Sequence, residues 1–455
     1  MFIGREKELA LLTNQYNKTG TAILLYGKRR VGKTTLIKES FKYFDGLKIY
    51  FECVKSSLKE NLNIIQENMR TQGIITSYTI FNTFIDLFKY FKDLNKKVLI
   101  VIDEYSYLKS MENSEYVDSL FQNIIDNYLD NICLVLSGSH IAIMKSLMLE
   151  SNPLYGRFSL YLDIKEFNYL EASKFYPNIG VLNKIAYYSI FGGSPFVNSL
   201  IDFNLSVEEN IINHILNINS PINAYIHMIL NTDLKNQNNA LNILSVIANG
   251  KKKYFEIEQK IGMKTNGSLN KQLNTLMEIE IIKKIAPINK KSDNKKMHYA
   301  INDNLIKFYF TYVYKKTSIL EMLGSEMFYK LHIEDAIKHF IANRFEAIVK
   351  QFFSIKVKKG ELQDVYDIGT LYYDDSVNKT NGEFDCVLEH KEGYSIFEVK
   401  YYKEPLDSKV IETEIEQVKN IPNIHIKKIG FVSASGFKEN NDDIIQITGE
   451  DLYFQ

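Results

Sequence analysis

Three unbroken apolar runs mark the first third of the chain: Ala22-Ile23-Leu24-Leu25-Tyr26, Val98-Leu99-Ile100-Val101-Ile102 and Ile132-Cys133-Leu134-Val135-Leu136. Apolar throughout rather than alternating, they predict strands buried on both faces. Residues 47–53 read as a further strand and 160–164 as an alternating one, while 6–16 and most of 57–90 carry helical spacing. Strands that alternate with helices in this way predict a parallel sheet covered on both sides, an α/β architecture. The pattern changes after residue 238, where three short helical periods, the last over 269–279, precede strand-like segments at 281–285 and 297–301 joined by a lysine-rich loop. Three helices and a β-hairpin of this length predict a winged helix. A helix over 334–353 then leads into strand patterns at 364–373, 382–388 and 394–401.

At 455 residues and 45% hydrophobic composition the chain holds several domains with real cores. Its 55 Lys+Arg balance 55 Asp+Glu, so no overall field draws it to nucleic acid, and contact with DNA depends on local patches. Cys53, Cys133 and Cys386 lie far apart and make neither a disulfide framework nor a zinc pattern. No apolar run reaches the roughly 18 residues a membrane span requires, and no leader pattern opens the chain, so a cytoplasmic protein without membrane contact is expected. Residues 450–455, Glu-Asp-Leu-Tyr-Phe-Gln, are close to a protease-site remnant, with a native end as the alternative, and receive no functional weight.

The first apolar run feeds directly into Gly27-Lys28-Arg29-Arg30-Val31-Gly32-Lys33-Thr34, with Thr35 behind it and a helical pattern after that. Strand, eight-position turn and helix together match the phosphate-binding P-loop. Gly27 and Gly32 let backbone N–H groups close on phosphate oxygens, Lys33 reaches the outer phosphates, and the Thr34 hydroxyl ligates Mg²⁺. The second run ends in Asp103-Glu104, at the strand end where α/β sheets bind ligands. In a P-loop protein Asp103 holds the Mg²⁺ shell and Glu104 orients or deprotonates the attacking water, which favours hydrolysis over mere binding. The third run ends in Ser137-Gly138-Ser139. Ser139 is read both as a contact of the γ-phosphate or its water and as a helix N-cap. Arg157, in Leu154-Tyr155-Gly156-Arg157, is the candidate guanidinium for the γ-phosphate, against the plainer reading of a surface ion pair.

Gly4-Arg5-Glu6, the phosphate loop, Val98 to Glu104, Leu136 to Ser139, Leu154 to Arg157 and Gly192-Gly193-Ser194-Pro195 occur in an order and spacing that resemble the archaeal-type P-loop ATPases of the STAND and AAA+-like branch. The resemblance implies an ASCE-type parallel sheet, a helical lid, ATP with Mg²⁺, and a nucleotide-gated switch. It further implies that Arg5 lines the base and sugar, that Ser139 sits at a sensor position, and that Pro195 is laid near the base by the lid.

In the winged-helix segment, Lys251 to Lys253, the face Asn270, Lys271, Asn274 and Thr275, and the wing lysines Lys290, Lys291, Lys295 and Lys296 are available to meet DNA. A role as internal scaffold or protein-docking module stands beside that. Farther on, Glu398 and Lys400 are two apart on a strand and share a face, and Asp385 lies one hairpin turn away. Two carboxylates and a lysine on neighbouring strands suit a hard divalent cation with an ammonium beside its water. The pattern resembles the PD-(D/E)xK nuclease fold, which implies Asp385 and Glu398 as metal ligands, Lys400 as the water-activating group, Glu346 as the acidic residue of the first helix, and Gln417 as a support.

The expected order is a P-loop ATPase core over 1–165, a helical lid over 166–235, a winged helix over 236–320 and a nuclease-like α/β domain over 321–449. The function expected is an ATP-hydrolysing switch coupled to a DNA-binding or nuclease-like domain, with mobile-element or defence roles and oligomerisation both open. The alternative is a signalling or docking ATPase whose C-terminal domain binds without cleaving.

Overall fold

The computed structural model describes residues 2–18, 20–94, 96–111, 114–234, 239–250, 252–262, 268–375, 380–419 and 424–454. The chain divides into two units, Met1–Glu166 and Phe167–Gln455.

In the first unit β1 (Thr21–Tyr26), β2 (Leu47–Glu52), β3 (Val98–Asp103), β4 (Ile132–Gly138) and β5 (Leu160–Asp163) form a parallel sheet in the order β2-β3-β4-β1-β5. Every residue of β1, β3 and β4 is buried. The unbroken apolar runs are explained by this burial, because helices cover both faces. Leu24, Ile100 and Phe121 belong to the core on one face, and Ile23, Leu25, Leu36 and Val101 to the core on the other. All five strands point the same way, so the loop after β1, Asp103 and Ser139 emerge along one edge. Ile23 pairs with Leu160 and Tyr26 with Asp163, which puts the residues before β5 at the opposite edge.

The second unit begins with helices, including Val181–Phe191, that share one core with the later segments of the unit. Helices Ala240–Ala248, Tyr254–Ile261 and Ser268–Glu278 precede a hairpin of β6 (Ile282–Ile285) and β7 (His298–Ile301). Lys252 and Tyr299 exchange two backbone hydrogen bonds, adding a bridge at the hairpin's side. The C-terminal sheet runs β12-β11-β10-β9-β8, with β8 (Asp367–Asp375), β9 (Thr380–His390) and β10 (Gly393–Lys400) antiparallel, and β11 (Ile426–Ser433) and β12 (Ile445–Thr448) parallel to β10. The helix Ile337–Lys358 packs on one face, with Phe353 and Phe397 rings 4.5 Å apart. The helix Ser408–Lys419 joins β10 to β11.

Near the C-terminus Leu452 is fully buried and Tyr453 is 8% exposed, while Phe454 is exposed, and the Tyr169 hydroxyl donates to the Leu452 carbonyl at 2.7 Å. The loop between β6 and β7, expected to offer its lysines to DNA, is docked on β8, with Lys290 and Lys295 exposed. Ile288 joins the core formed with Leu371, Val387 and Ile396, and the Asn289 amide both donates to the Tyr372 carbonyl (2.7 Å) and accepts from its N–H (3.1 Å). Lys291 pairs with Asp367 (2.6 Å) and Glu389 (3.4 Å), and the Lys296 ammonium sits 3.6 Å from the Tyr372 ring centre. Lys251 lies outside the described residues. Among the described residues no helix is long and apolar enough to cross a membrane.

Candidate functional site

The loop after β1 is shaped by its two glycines. A Cβ on Gly27 would overlap the Ile164 carbonyl, and Gly32 has φ 90° at the N-cap of the helix Lys33–Ser40. The helix start therefore faces into the loop with its first N–H groups, the arrangement that receives phosphate. Lys33 is buried, and its ammonium donates to the carbonyls of Gly27 (3.0 Å) and Lys28 (2.9 Å). Burial lowers its pKa, and the nearby Glu104 and Asp103 carboxylates oppose that shift. Thr34 is half-buried, and Thr35 beside it is exposed.

The Thr34 hydroxyl donates to Asp103 Oδ2 at 2.8 Å, and the Tyr50 hydroxyl donates to the same oxygen at 2.8 Å. The end of β3 thus brings Asp103 to the start of the helix that follows the loop. The convergence of a threonine hydroxyl and a carboxylate, both hard oxygen donors, fits Mg²⁺ chemistry. Tyr50 was not singled out from sequence. No local signal marks it, because its place depends on the pairing of β2 with β3, where Glu52 stands opposite Asp103. Burial and the Asp103 charge push the Tyr50 pKa far up, so it remains a donor.

Glu104 has φ 52°, the left-handed region that a non-glycine residue adopts only when its surroundings impose it. Its carboxylate reaches the residue just after β4, where Glu104 Oε2 accepts from Ser139 N (3.2 Å) and Ser139 Oγ (2.8 Å). Ser139 is therefore a partner of Glu104. It is not a helix cap, since His140 holds the N-cap position of the next helix.

The remaining expected residues fall in three places. Arg5 is buried and also left-handed (φ 66°). Its guanidinium donates to the carbonyls of Val31 (3.0 Å) and Lys165 and pairs with Glu8 (3.1 Å), so it braces the phosphate loop from behind. Arg157 is a correction. It grips Asp126 with Nε and Nη2 at 2.9 to 3.1 Å and donates to the Pro153 carbonyl. It lies ahead of β5, at the sheet edge opposite the loop, about 16 Å away by strand rise. Pro195 opens the short helix Pro195–Asn198 in the second unit, and Gly193 lies so close to the Phe167 backbone that no side chain fits there.

On the C-terminal sheet, the register ending in Phe397↔Cys386 places Asp385 across from Glu398, on the face away from Phe397. Lys400 is on that face too, but its ammonium is held between Glu398 (2.8 Å) and Glu414 (2.8 Å), the latter from the helix Ser408–Lys419. Burial raises the Glu398 pKa despite Lys400, and Glu414 and Asp385 push the same way. Burial opposes the charge on Lys400, yet its bonds to the two glutamates hold its pKa above the usual lysine value. Glu414 was missed in the sequence, where helical spacing alone says nothing of which strand it covers. Glu346 is half-buried on the helix Ile337–Lys358, and the Gln417 side chain lies outside the described residues. Among the described residues no three His, Cys, Asp or Glu side chains are grouped to hold a metal.

Residues 2–196 match a family described as an ATPase domain predominantly from Archaea, and residues 309–417 match one described as archaeal and bacterial proteins of unknown function. An uncharacterized protein of Methanocaldococcus jannaschii, MJECL04, is 29% identical over 356 residues, covering 77% of this chain and 77% of its own. An uncharacterized ATP-binding protein of the same organism, MJ0423, is 46% identical over 50 residues, which are 11% of this chain and 80% of that one. The solved structure of the Walker-type ATPase PABY2304 of Pyrococcus abyssi aligns with a TM-score of 0.51 at 16% identity, covering 68% of this chain and 96% of its own, a likeness of fold. The chain carries an archaeal-type P-loop ATPase domain followed by a separate α/β domain with a mixed sheet.

Proposed function

We propose that the chain is an ATP-hydrolysing switch whose nucleotide state governs the second unit. The observation that carries this is Glu104, held in a left-handed conformation by Ser139 immediately beside the Thr34–Asp103 pair. A chain that only bound nucleotide would have no use for a strained carboxylate there. Lys33 exchanges its two carbonyl partners for phosphate oxygens as ATP enters, and the N–H groups at the start of the helix Lys33–Ser40 close on the phosphates. Thr34 and Asp103 are the groups that would hold Mg²⁺, which when bound neutralises charge on the outer phosphates. Glu104 orients a water molecule and takes its proton. The water oxygen bonds to the γ-phosphorus, the bond to the β-γ bridging oxygen breaks, and ADP and phosphate result. Ser139 holds Glu104 in register and reports its position to β4. The Glu104→Gln variant tests this: it should bind ATP about as tightly as the parent while hydrolysis falls about 100-fold or more. Unchanged turnover would remove Glu104 from the chemistry.

For the second unit, the topology around Asp385, Glu398 and Lys400 supports a nuclease-like domain with 236–320 as a winged helix and 166–235 as a lid. The exposed face Asn270, Lys271 and Asn274 is its proposed route to DNA. A second reading, a domain that binds without cleaving, is favoured by the clamp of Lys400 between two carboxylates. Plasmid cleavage with Mg²⁺ or Mn²⁺ separates them. Cleavage lost in Asp385→Ala and Lys400→Ala supports the first reading, and none by any of the three proteins supports the second.

A further inference from the structure

The face of the C-terminal sheet opposite Glu398 and Lys400 holds a cavity of about 780 Å³, under the last turns of the helix Ile337–Lys358. Its size is within the range of small-molecule sites, roughly 300–1,000 Å³. Its floor is aromatic, with Phe352, Phe353 and Phe397 lining it. One wall carries a polar pair, His390 and Ser395, and Ser395 is 3% exposed.

The hydrogen bonds of that pair have a fixed direction. His390 Nδ1 is 3.1 Å from the Asp364 carbonyl, which only accepts, so Nδ1 carries the proton. Nε2 is then the acceptor, and the Ser395 hydroxyl donates to it at 2.8 Å. The lone pairs of Ser395 Oγ remain to accept from a ligand N–H or O–H. At the mouth stand Lys427 and Lys428, both exposed and in no ion pair among the described residues, with Lys428 paired in register to Ser395. Lys356, also lining the cavity, is tied to Glu361 at 3.1 Å.

An aromatic floor, a polar wall and two unspoken-for cations match a ligand with a flat ring, a hydrogen-bonding edge and an anionic group. An alkyl chain would bury the His390–Ser395 pair without giving Ser395 a donor. We propose that this cavity binds a nucleoside monophosphate, its base on the phenylalanine floor, its sugar or base edge at Ser395, and its phosphate on Lys427 and Lys428. The site lies wholly within the second unit and is distinct from the phosphate loop, which is built to cradle polyphosphate.

His390 also supplies a reporter. The groups that face it are Ser395 on β10, Asp364 ahead of β8, and Lys427 and Lys428 at β11. Burial lowers its pKa, Asp364 opposes that, and the two lysines lower it further. A phosphate on the lysines would cancel their effect and move His390 upward. The test is an NMR titration of the histidine rings in Lys33→Ala protein, which lacks the phosphate-loop lysine, with AMP, adenosine and inorganic phosphate as probes. The His390 signal is identified by its loss in His390→Gln.

AMP should raise the His390 pKa by about half a unit or more and bind about tenfold more tightly than adenosine or phosphate. The double variant Lys427→Ala/Lys428→Ala should lose most of that response. No His390 response to AMP at about 10 mM, an equal response in the double variant, or phosphate acting as well as AMP would each overturn the proposal. Both lysines are exposed, so the other histidine signals serve as the check that the double variant is folded.

Discussion

At the phosphate loop Lys33 is held by two backbone carbonyls and Asp103 by two hydroxyls, whereas on the C-terminal sheet Lys400 is held by two carboxylates. The residue types are the same and the pairing rule is opposite. Neutral partners leave the charge of Lys33 and Asp103 available, so an incoming phosphate or cation displaces a dipole rather than a counter-ion. Lys400 and its glutamates neutralise each other, and an incoming ligand must first break charge-assisted bonds, which are about twice as strong as neutral ones. The first grouping is poised for a ligand; the second is closed on itself.

The largest effect expected bears directly on that contrast. Lys33→Met should lower ATP turnover about 100-fold or more, while Lys400→Met should leave it within about twofold, measured as phosphate release at saturating Mg-ATP. A comparable loss in Lys400→Met would break the comparison. Ser139→Ala sharpens it, because Glu104 loses its hydroxyl partner but keeps the backbone N–H: kcat should fall about tenfold with KM little changed. Asn289→Ala probes the second unit away from either charged group. It leaves the Tyr372 N–H and C=O without their side-chain partner and should cost about 1 kcal/mol, read in denaturant melts, with turnover unchanged. Arg157→Ala should do least. Its partly exposed pair with Asp126 contributes about 0.5 kcal/mol or less, and kcat should stay at the parent value. A large loss of kcat would restore Arg157 to the chemistry.

How much the sequence reveals depends on how local each feature is. The phosphate loop is eight consecutive residues, and Asp103-Glu104 ends an apolar run, so both are readable without knowing any pairing. The parallel sheet is legible because burial on both faces leaves no polar alternation in β1, β3 or β4. Arg157 is misread because its position depends on the register of β1 with β5, a contact between segments far apart in sequence. Tyr50 and Glu414 are invisible for the same reason, since each acts on a neighbour supplied by another element. Lys291 and Lys296 look available for DNA in sequence because nothing near them announces Asp367, Glu389 or Tyr372 as partners. At the C-terminus the resemblance of 450–455 to a protease-site remnant says nothing of packing, yet Leu452 and Tyr453 are buried in a core.

The docked loop between β6 and β7 has a bearing on how copies of this chain behave together. β8 is the last strand of its sheet, and the outward N–H and C=O of such a strand are a template for any other extended segment. Asn289 occupies both groups at Tyr372, and Lys291 sets a charge beside the strand's first residue. The loop thus leaves fewer of those groups open to another extended segment. Conditions that lift it, such as salt high enough to screen Lys291 from Asp367 and Glu389, would announce themselves as concentration-dependent association with a gain of β-structure, while each molecule still turns over ATP.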